Sequence, residues 1–396
     1  MKALVLYELH FYRDRNGEYW SKRVVDYKFL DRYLNVFERI SICARVSQIE
    51  QNDGTMMKVS GPNVSFVDLP DTMGISETLP KLSIMKRILK KAIKEHDAII
   101  LRVPSMLTIL LYHEIKKAGI PYSADVALSG TNMIPKKGFI WDRANKLIDK
   151  RLKKICMEAN GVSYVTEHVL QQAYPCRAMK EPDNPDYFTG SFSTIELNDE
   201  DFFPCNWIEN DKPDRFILVH CGYMDDDRKC HANVIRAVKK VIDRGFNVEI
   251  RFIGDGALRK SHEALASELG IADYCKFYGL ITNKDKVLSE LRKCHLFVFP
   301  TKAEGLPRSV LEAMAQGLPC ISSPVDGVPE LISDDCLVDW WDIDGYADKI
   351  CEFLSDWSKM IQVGNRNYNK ALEYHNDILK QKRRSFYQKL YNLCEK

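Results

Sequence analysis

No apolar run in the sequence approaches the ~18 residues that a membrane-spanning helix needs. No C-x-x-C pair joins its 12 cysteines, so neither a zinc site nor a dithiol redox site is written into the spacing. So many thiols without a framework fit a reducing cytosol better than secretion. Net charge is nearly absent: 57 Lys and Arg against 55 Asp and Glu leave +2, and no whole-molecule field points to nucleic acid. The small basic excess sits in the first half. The opening residues, Met1-Lys2-Ala3-Leu4-Val5-Leu6-Tyr7, turn polar too quickly for a signal peptide. A cytoplasmic protein is expected, at most peripheral on the inner face of the cell membrane. There is no internal repeat, and 45% apolar with 28% charged residues excludes disordered and collagen-like chains.

What is present is alternation. Short apolar runs at 3–7, 39–45, 64–67, 98–102, 122–125 and 163–165 are separated by helical patterns at 81–96, 107–118 and 143–159. Residues 198–214 lose periodicity and gather Asn, Asp, Pro and Trp, which predicts a linker. The same grammar restarts from 216, with a short strand expected at 336–338 and helices to the end. At about 150 residues per domain, 396 residues give two or three. The pattern predicts an α/β protein of two doubly wound Rossmann-like domains, 1–205 and 206–375, followed by a helix at 376–396 that packs back on the first. Ligands of such sheets bind at the carboxyl ends of the strands, here in a cleft between the domains.

The densest signal is Thr301-Lys302-Ala303-Glu304-Gly305-Leu306-Pro307-Arg308-Ser309-Val310-Leu311-Glu312-Ala313-Met314-Ala315-Gln316-Gly317-Leu318-Pro319. A strand ends before it, a turn bears Glu304 and Gly305, and Pro307 suits the first position of a helix. The free amides of Arg308 and Ser309 then offer an anion site backed by the helix dipole. Glu304 and Glu312 both face one ligand if the second lies about one turn inside the helix. Taken singly, each glutamate is more simply a cap or a solvated surface residue; the whole string is not.

The string resembles family 4 glycosyltransferases, the retaining, metal-independent group with the GT-B fold. Their Glu-x7-Glu element is followed by Ala-Met-Ala-x-Gly-x-Pro, and Val325-Asp326-Gly327-Val328-Pro329-Glu330-Leu331 is similar to the family's next turn. The resemblance implies that Glu304 meets the donor sugar and Glu312 the ribose, and Gly305, Leu306, Arg308 and Ser309 around them are expected to bind the donor as well. It also implies a glycine and a lysine after the first strand of the second domain, matched by Gly222 and Lys229. A lysine there neutralises charge developing on the leaving diphosphate. Relatives carry Arg directly after that glycine, where this chain has Tyr223; Arg308 is the expected replacement, ahead of Arg228. Asp225-Asp226-Asp227 would suit a hard cation, but a solvated turn is the simpler reading, and no metal or cofactor is expected. Gly254 recurs where relatives pass the backbone close to the nucleotide, with Tyr278 and Leu280 beside the base.

The first half offers fewer points of resemblance. Gly17 matches the family's glycine loop near the phosphates, without its usual paired glycines. Asp125 stands near the place of a histidine that touches the donor sugar in many relatives. Arg102 ends another strand on the acceptor side, where a structural salt bridge is an equal reading. Two basic amphipathic stretches, 81–94 and 136–154, are suited either to packing as ordinary helices or to lying on anionic lipid. The second, with Phe139, Ile140 and Trp141, is the stronger membrane candidate.

These readings combine into a retaining hexosyltransferase-type enzyme. It would move a sugar from a nucleotide diphosphate, UDP or GDP, to a glycan or lipid-linked acceptor, with bacterial capsule or O-antigen as product. Glu304, Lys229 and Asp125 are its candidate catalytic residues. The alternatives are a GT-B nucleotide-sugar epimerase, or a non-catalytic partner of another transferase.

Overall fold

The structure is a computed structural model that describes residues 1–22, 25–130, 138–209 and 212–396. The chain forms two compact units, Met1–Phe192 with Lys380–Lys396, and Ser193–Leu379.

The first unit contains β1 (Lys2–Arg13), β2 (Tyr19–Ser21), α1 (Asp31–Leu34), β3 (Arg39–Gln48), β4 (Met57–Lys58), β5 (Val64–Leu69) and α2 (Gly74–Ile93). It continues with β6 (Ala98–Val103), α3 (Met106–Ala118), β7 (Tyr122–Val126), α4 (Phe139–Glu158), β8 (Gly161–Tyr164), α5 (Val169–Ala173) and β9 (Phe188–Ser191). Its parallel strands pair in the order β5-β3-β1-β6-β7-β8-β9. Strands covered on both faces read as continuous apolar runs, and Ala3 to Leu6 and Ala98 to Leu101 are accordingly fully buried. Helix α3 shows local rules at work: Ser105 accepts the Thr108 N–H at its start, and Gly119 ends it at φ +72°, a conformation suited to glycine.

The second unit contains β10 (Phe216–Cys221), α6 (His231–Asp243), β11 (Val248–Ile253), α7 (Arg259–Glu268), β12 (Cys275–Gly279) and α8 (Lys284–Leu291). Then follow β13 (Leu296–Phe299), α9 (Arg308–Ala315), β14 (Cys320–Ser322), α10 (Ile343–Ser355) and α11 (Trp357–Leu372). Its sheet is parallel, in the order β12-β11-β10-β13-β14. Strand order therefore reverses between β10 and β13, the place where open α/β sheets bind ligands. A last helix, α12 (Asn376–Cys394), starts in this unit and finishes in the first.

Three expectations need correction. The linker read at 198–214 begins as a strap on the second unit. Phe203 N–H donates to the Ala315 carbonyl at 2.8 Å, and Gln316 Nε2 to that of Asp201 at 2.6 Å. Trp207 stacks on Trp357 at 4.9 Å. Irregular backbone has no hydrophobic period, so pairing through side chains and carbonyls left no pattern to read. The division accordingly falls after Phe192 rather than after 205. The strand expected at 336–338 is a single bridge, Ser322 to Leu337, after a turn at Asp334–Cys336. Helix α2 starts at Gly74 and runs through Pro80, which loses only one ladder bond, instead of beginning after it.

Candidate donor site

Three loops after β10, β11 and β12 are laced together by backbone. Gly222 N–H donates to the Ile253 carbonyl at 3.0 Å, Met224 N–H to that of Asp255 at 2.9 Å, and Gly254 N–H to that of Gly279 at 2.9 Å. The approach is so close that a β-carbon on Gly254, at φ +144°, would lie 1.9 Å from the Gly222 oxygen. Glycine there is a packing requirement. It explains why this residue type follows a strand end more directly than any nucleotide contact does.

Lys229 closes a short turn, Asp227–Lys229, whose start is capped by Asp226 accepting the Arg228 N–H. The lysine stem packs on Gly222. Its ammonium lies 4.8 Å from the Phe299 ring centroid and forms an ion pair with Glu304. Burial pushes the Lys229 amine down to about 8, with the neighbouring Arg228 charge acting in the same direction. Glu304 also accepts from the Thr301 hydroxyl at 3.2 Å. Its backbone N–H donates to Asp326 at 2.8 Å, and the Gly305 carbonyl receives Gly327 N–H at 3.0 Å. The turn after β13 is thus clamped by the loop after β14.

Helix α9 begins at Arg308, with Pro307 as the residue before it. Glu312 lies within electrostatic reach of Cys221 at the end of β10 and of Asp201 in the strap: burial pushes its carboxyl up, Arg308 and Lys284 oppose this, and Asp201 adds to it. Lys284 is held to Asp201 at 2.5 Å. Leu306 is buried, Arg308 exposed and Ser309 half-buried. Tyr278 and Leu280 are exposed at the end of β12, and Arg251 lies 5.8 Å from the Tyr278 ring centroid. The second-unit candidates therefore occupy the carboxyl edge of one sheet on both sides of its switch point. The aspartate run is engaged with cations: Asp226 pairs with Arg228 at 2.9 Å and Asp227 with Lys302 at 2.5 Å.

In the first unit, Arg102 and Asp125 meet each other at 3.6 Å. Asp125 is only 3% exposed, and both its oxygens are engaged: Ser163 donates to one and Tyr387 of α12 to the other, each at 2.8 Å. The carboxylate offered to a ligand by its place at a strand end is thus committed to holding α12 over β7. The Arg102 guanidinium lies 5.7 and 5.9 Å from the rings of Tyr7 and Phe29. Strand β1 runs on well past Tyr7, and Gly17, at φ +81°, turns it into an antiparallel hairpin with β2. The glycine expected just after a short first strand is therefore a hairpin residue, its conformation set by that turn.

Of the basic stretch 136–154, Lys136 and Lys137 lie outside the described residues. In α4, Phe139 and Leu147 are 72% and 65% exposed, on a face that also exposes Arg143, Lys146, Lys150 and Lys154. Ile148, Leu152 and Ile155 fill the opposite, buried face. Among the described residues, no helix is long and apolar enough to cross a membrane.

Sequence reasoning missed two groups at this site. Asp326 occupies a turn already noted for its resemblance, but nothing in the spacing marks its side chain. His220, directly before Cys221 at the end of β10, is fully buried against Val298 and His231. Burial drives its imidazole down to about 3, so it stays neutral behind the Gly222 loop.

Two Rossmann-like units with this strand order are the architecture of the GT-B fold. Residues 215–356 match the family model described as Glycosyl transferases group 1. It is 24% identical to Protein CapJ of Staphylococcus aureus over 78% of this chain and 76% of CapJ. It is 26% identical to the capsular polysaccharide biosynthesis glycosyltransferase CapM of the same organism, over 40% of this chain and 42% of CapM. The fold is that of Anabaena HepE, solved in complex with UDP, at a TM-score of 0.66 and 14% identity over 96% of this chain and 98% of HepE.

Proposed function

We propose that this chain is a retaining, metal-independent member of family 4. It would transfer a sugar from a nucleotide diphosphate to a glycan or lipid-linked acceptor in the cytoplasm, for a bacterial surface polysaccharide. The observation that carries the proposal is the Lys229–Glu304 pair between the ends of β10 and β13. A cation held there meets the diphosphate as its charge develops, while the carboxylate beside it meets the sugar hydroxyls. The acceptor hydroxyl attacks from the face the diphosphate leaves, and the departing phosphate oxygen takes the acceptor's proton. Lys229, Arg308 and the first amides of α9 stabilise that leaving group. The UDP in HepE and the role named for CapM support the donor and the product class.

Ligand-detected NMR against UDP and GDP sugars tests this reading, and it should find one preferred base and slow release of sugar in the presence of EDTA. Sugar epimerisation without an acceptor would favour the epimerase, and binding without any turnover a non-catalytic partner. Glu312→Gln is expected to weaken free nucleotide and nucleotide sugar alike, because the ribose is common to both. Glu304→Gln should spare the free nucleotide. Equal losses in calorimetry would refute that division of labour.

A lipid-linked acceptor would call for contact with the membrane, and the exposed basic, apolar face of α4 supplies its chemistry. Each basic residue near an anionic surface contributes about 1 kcal/mol. Wild-type protein should therefore sediment with anionic vesicles at low salt and less so at physiological salt, where the screening length is about 8 Å. Changing Lys146, Lys150, Lys153 and Lys154 together to Gln should abolish sedimentation and leave nucleotide affinity unchanged. Wild-type protein that ignores such vesicles would make a soluble acceptor the better reading.

A further inference from the structure

The turn after β14 contains an inversion of the usual residue preference. Asp326 adopts φ +43°, in the left-handed region that side chains with a β-carbon seldom occupy. The glycine beside it, Gly327, sits at φ −80° and makes no use of its freedom. A glycine at 326 would adopt this turn more freely, although aspartate is among the side chains that tolerate it best, so what the aspartate adds is its carboxylate. That side chain is aimed at the site: its Oδ2 accepts the backbone N–H of Glu304 at 2.8 Å. Gly327 N–H, bonded to the Gly305 carbonyl, makes the second half of the same clamp. The carboxyl is partly buried, and burial pushes it up to about 6. The residue whose backbone it holds, Glu304, has its own carboxylate paired with Lys229.

We propose that Asp326 is a positioning residue that sets the Glu304 turn, and through it the place of the Glu304 carboxylate beside Lys229, for recognition of the donor sugar. The inference rests on the donor-site reading above and assigns part of its selectivity to a residue outside the Glu-x7-Glu element. The ionised carboxylate is the stronger acceptor for a backbone N–H. Its burial is unfavourable to stability, and that is tolerated because it holds the turn.

Two substitutions separate side chain from backbone. Asp326→Gly keeps the left-handed turn and removes the acceptor; Asp326→Asn keeps an acceptor oxygen and removes the charge. Calorimetry with UDP and GDP, and with UDP-glucose and GDP-glucose, is the first readout. Asp326→Gly should weaken the sugar nucleotide at least tenfold while the free nucleotide changes less than twofold, and Asp326→Asn should recover most of the loss. Equal weakening of both ligands, or of neither, overturns the proposal.

The second readout needs no ligand. A carboxyl raised on folding contributes its stability below its unfolded value, and loses it as pH rises through about 6. Asp326→Asn should therefore melt a few degrees higher than wild type at pH 8, with the gap narrowing below about pH 6 and closing only near about pH 4. A gap that does not change with pH overturns the buried, ionised acceptor even if the nucleotides bind. Failure of every nucleotide to bind, with the pH-dependent gap present, would instead overturn the donor reading and leave the clamp on Glu304 standing.

Discussion

Lys229→Ala should lower kcat by about a hundredfold or more while moving the thermal midpoint by only a few degrees. The loss of one positioned charge donor at a developing oxyanion typically costs about 3 kcal/mol in the transition state, and each 1.36 kcal/mol is tenfold in rate. Stability is spared because the lysine is no simple asset to the fold. Its amine is pushed down to about 8 by burial, so the protein bears a cost for keeping it charged, which the Glu304 carboxylate and the Phe299 ring only offset. The sign of the pH effect follows. Between about 8 and the ordinary lysine value, the unfolded chain binds the extra proton, so wild-type stability rises with pH there relative to Lys229→Ala. Turnover that needs the ammonium falls over the same interval. A variant with wild-type kcat, or a wild-type rate that stays flat to pH 10, would remove Lys229 from the mechanism.

Gly254→Ala should be among the most damaging small substitutions in the second unit. The new methyl would lie 1.9 Å from the Gly222 carbonyl oxygen, at a φ of +144° that alanine avoids. The oxygen belongs to backbone that is itself bonded to Ile253, so it cannot retreat without breaking the lacing between β10 and β11. Strain of this kind together with a lost contact is expected to cost about 3 kcal/mol or more. For a unit of this size that is a fall of roughly 6 to 12 °C in the midpoint. Gly245→Ala is the control. It also changes a positive φ, +87°, but its β-carbon would meet nothing within 4 Å, and a cost near 1 kcal/mol is expected. Equal midpoints for the two variants would show that crowding at Gly222 contributes nothing.

The second unit could be read almost residue by residue because its signals are local. A strand end, a turn and an amphipathic helix follow one another in sequence, and Lys229 and Glu304 each sit a fixed distance past a recognisable strand. Some departures are local, such as Gly17 in its hairpin, but at the site the cause is a partner far along the chain. Asp125 lies one residue before the end of its strand, close to the expected place, yet its carboxylate is taken by Tyr387 from the last helix. Nothing near Asp125 in sequence reports that. Asp326 is a single side chain in a turn of familiar shape, and only the Glu304 amide reveals its use. The strap from residue 198 has neither the period of a helix nor that of a strand, so its polar groups read as loop until their partners on α9 and α8 are seen.

The path of the chain makes the second unit an insertion. It leaves the first unit after Phe192 and re-enters at Lys380, and its entry and exit run side by side. Leu197 bridges His375, Asn376 N–H donates to the Leu197 carbonyl at 2.7 Å, and Asn376 Nδ2 bonds to Asn198 at 2.8 Å. Segments with adjacent ends are those that can be exchanged between homologous chains without stretching either neighbour. A chimera that takes its second unit from a homologous chain should thus replace a cassette, 193–379, and retain the native tail from 380. A single crossover at 205 would separate the strap from α9 and leave Tyr387 of a foreign helix to find Asp125.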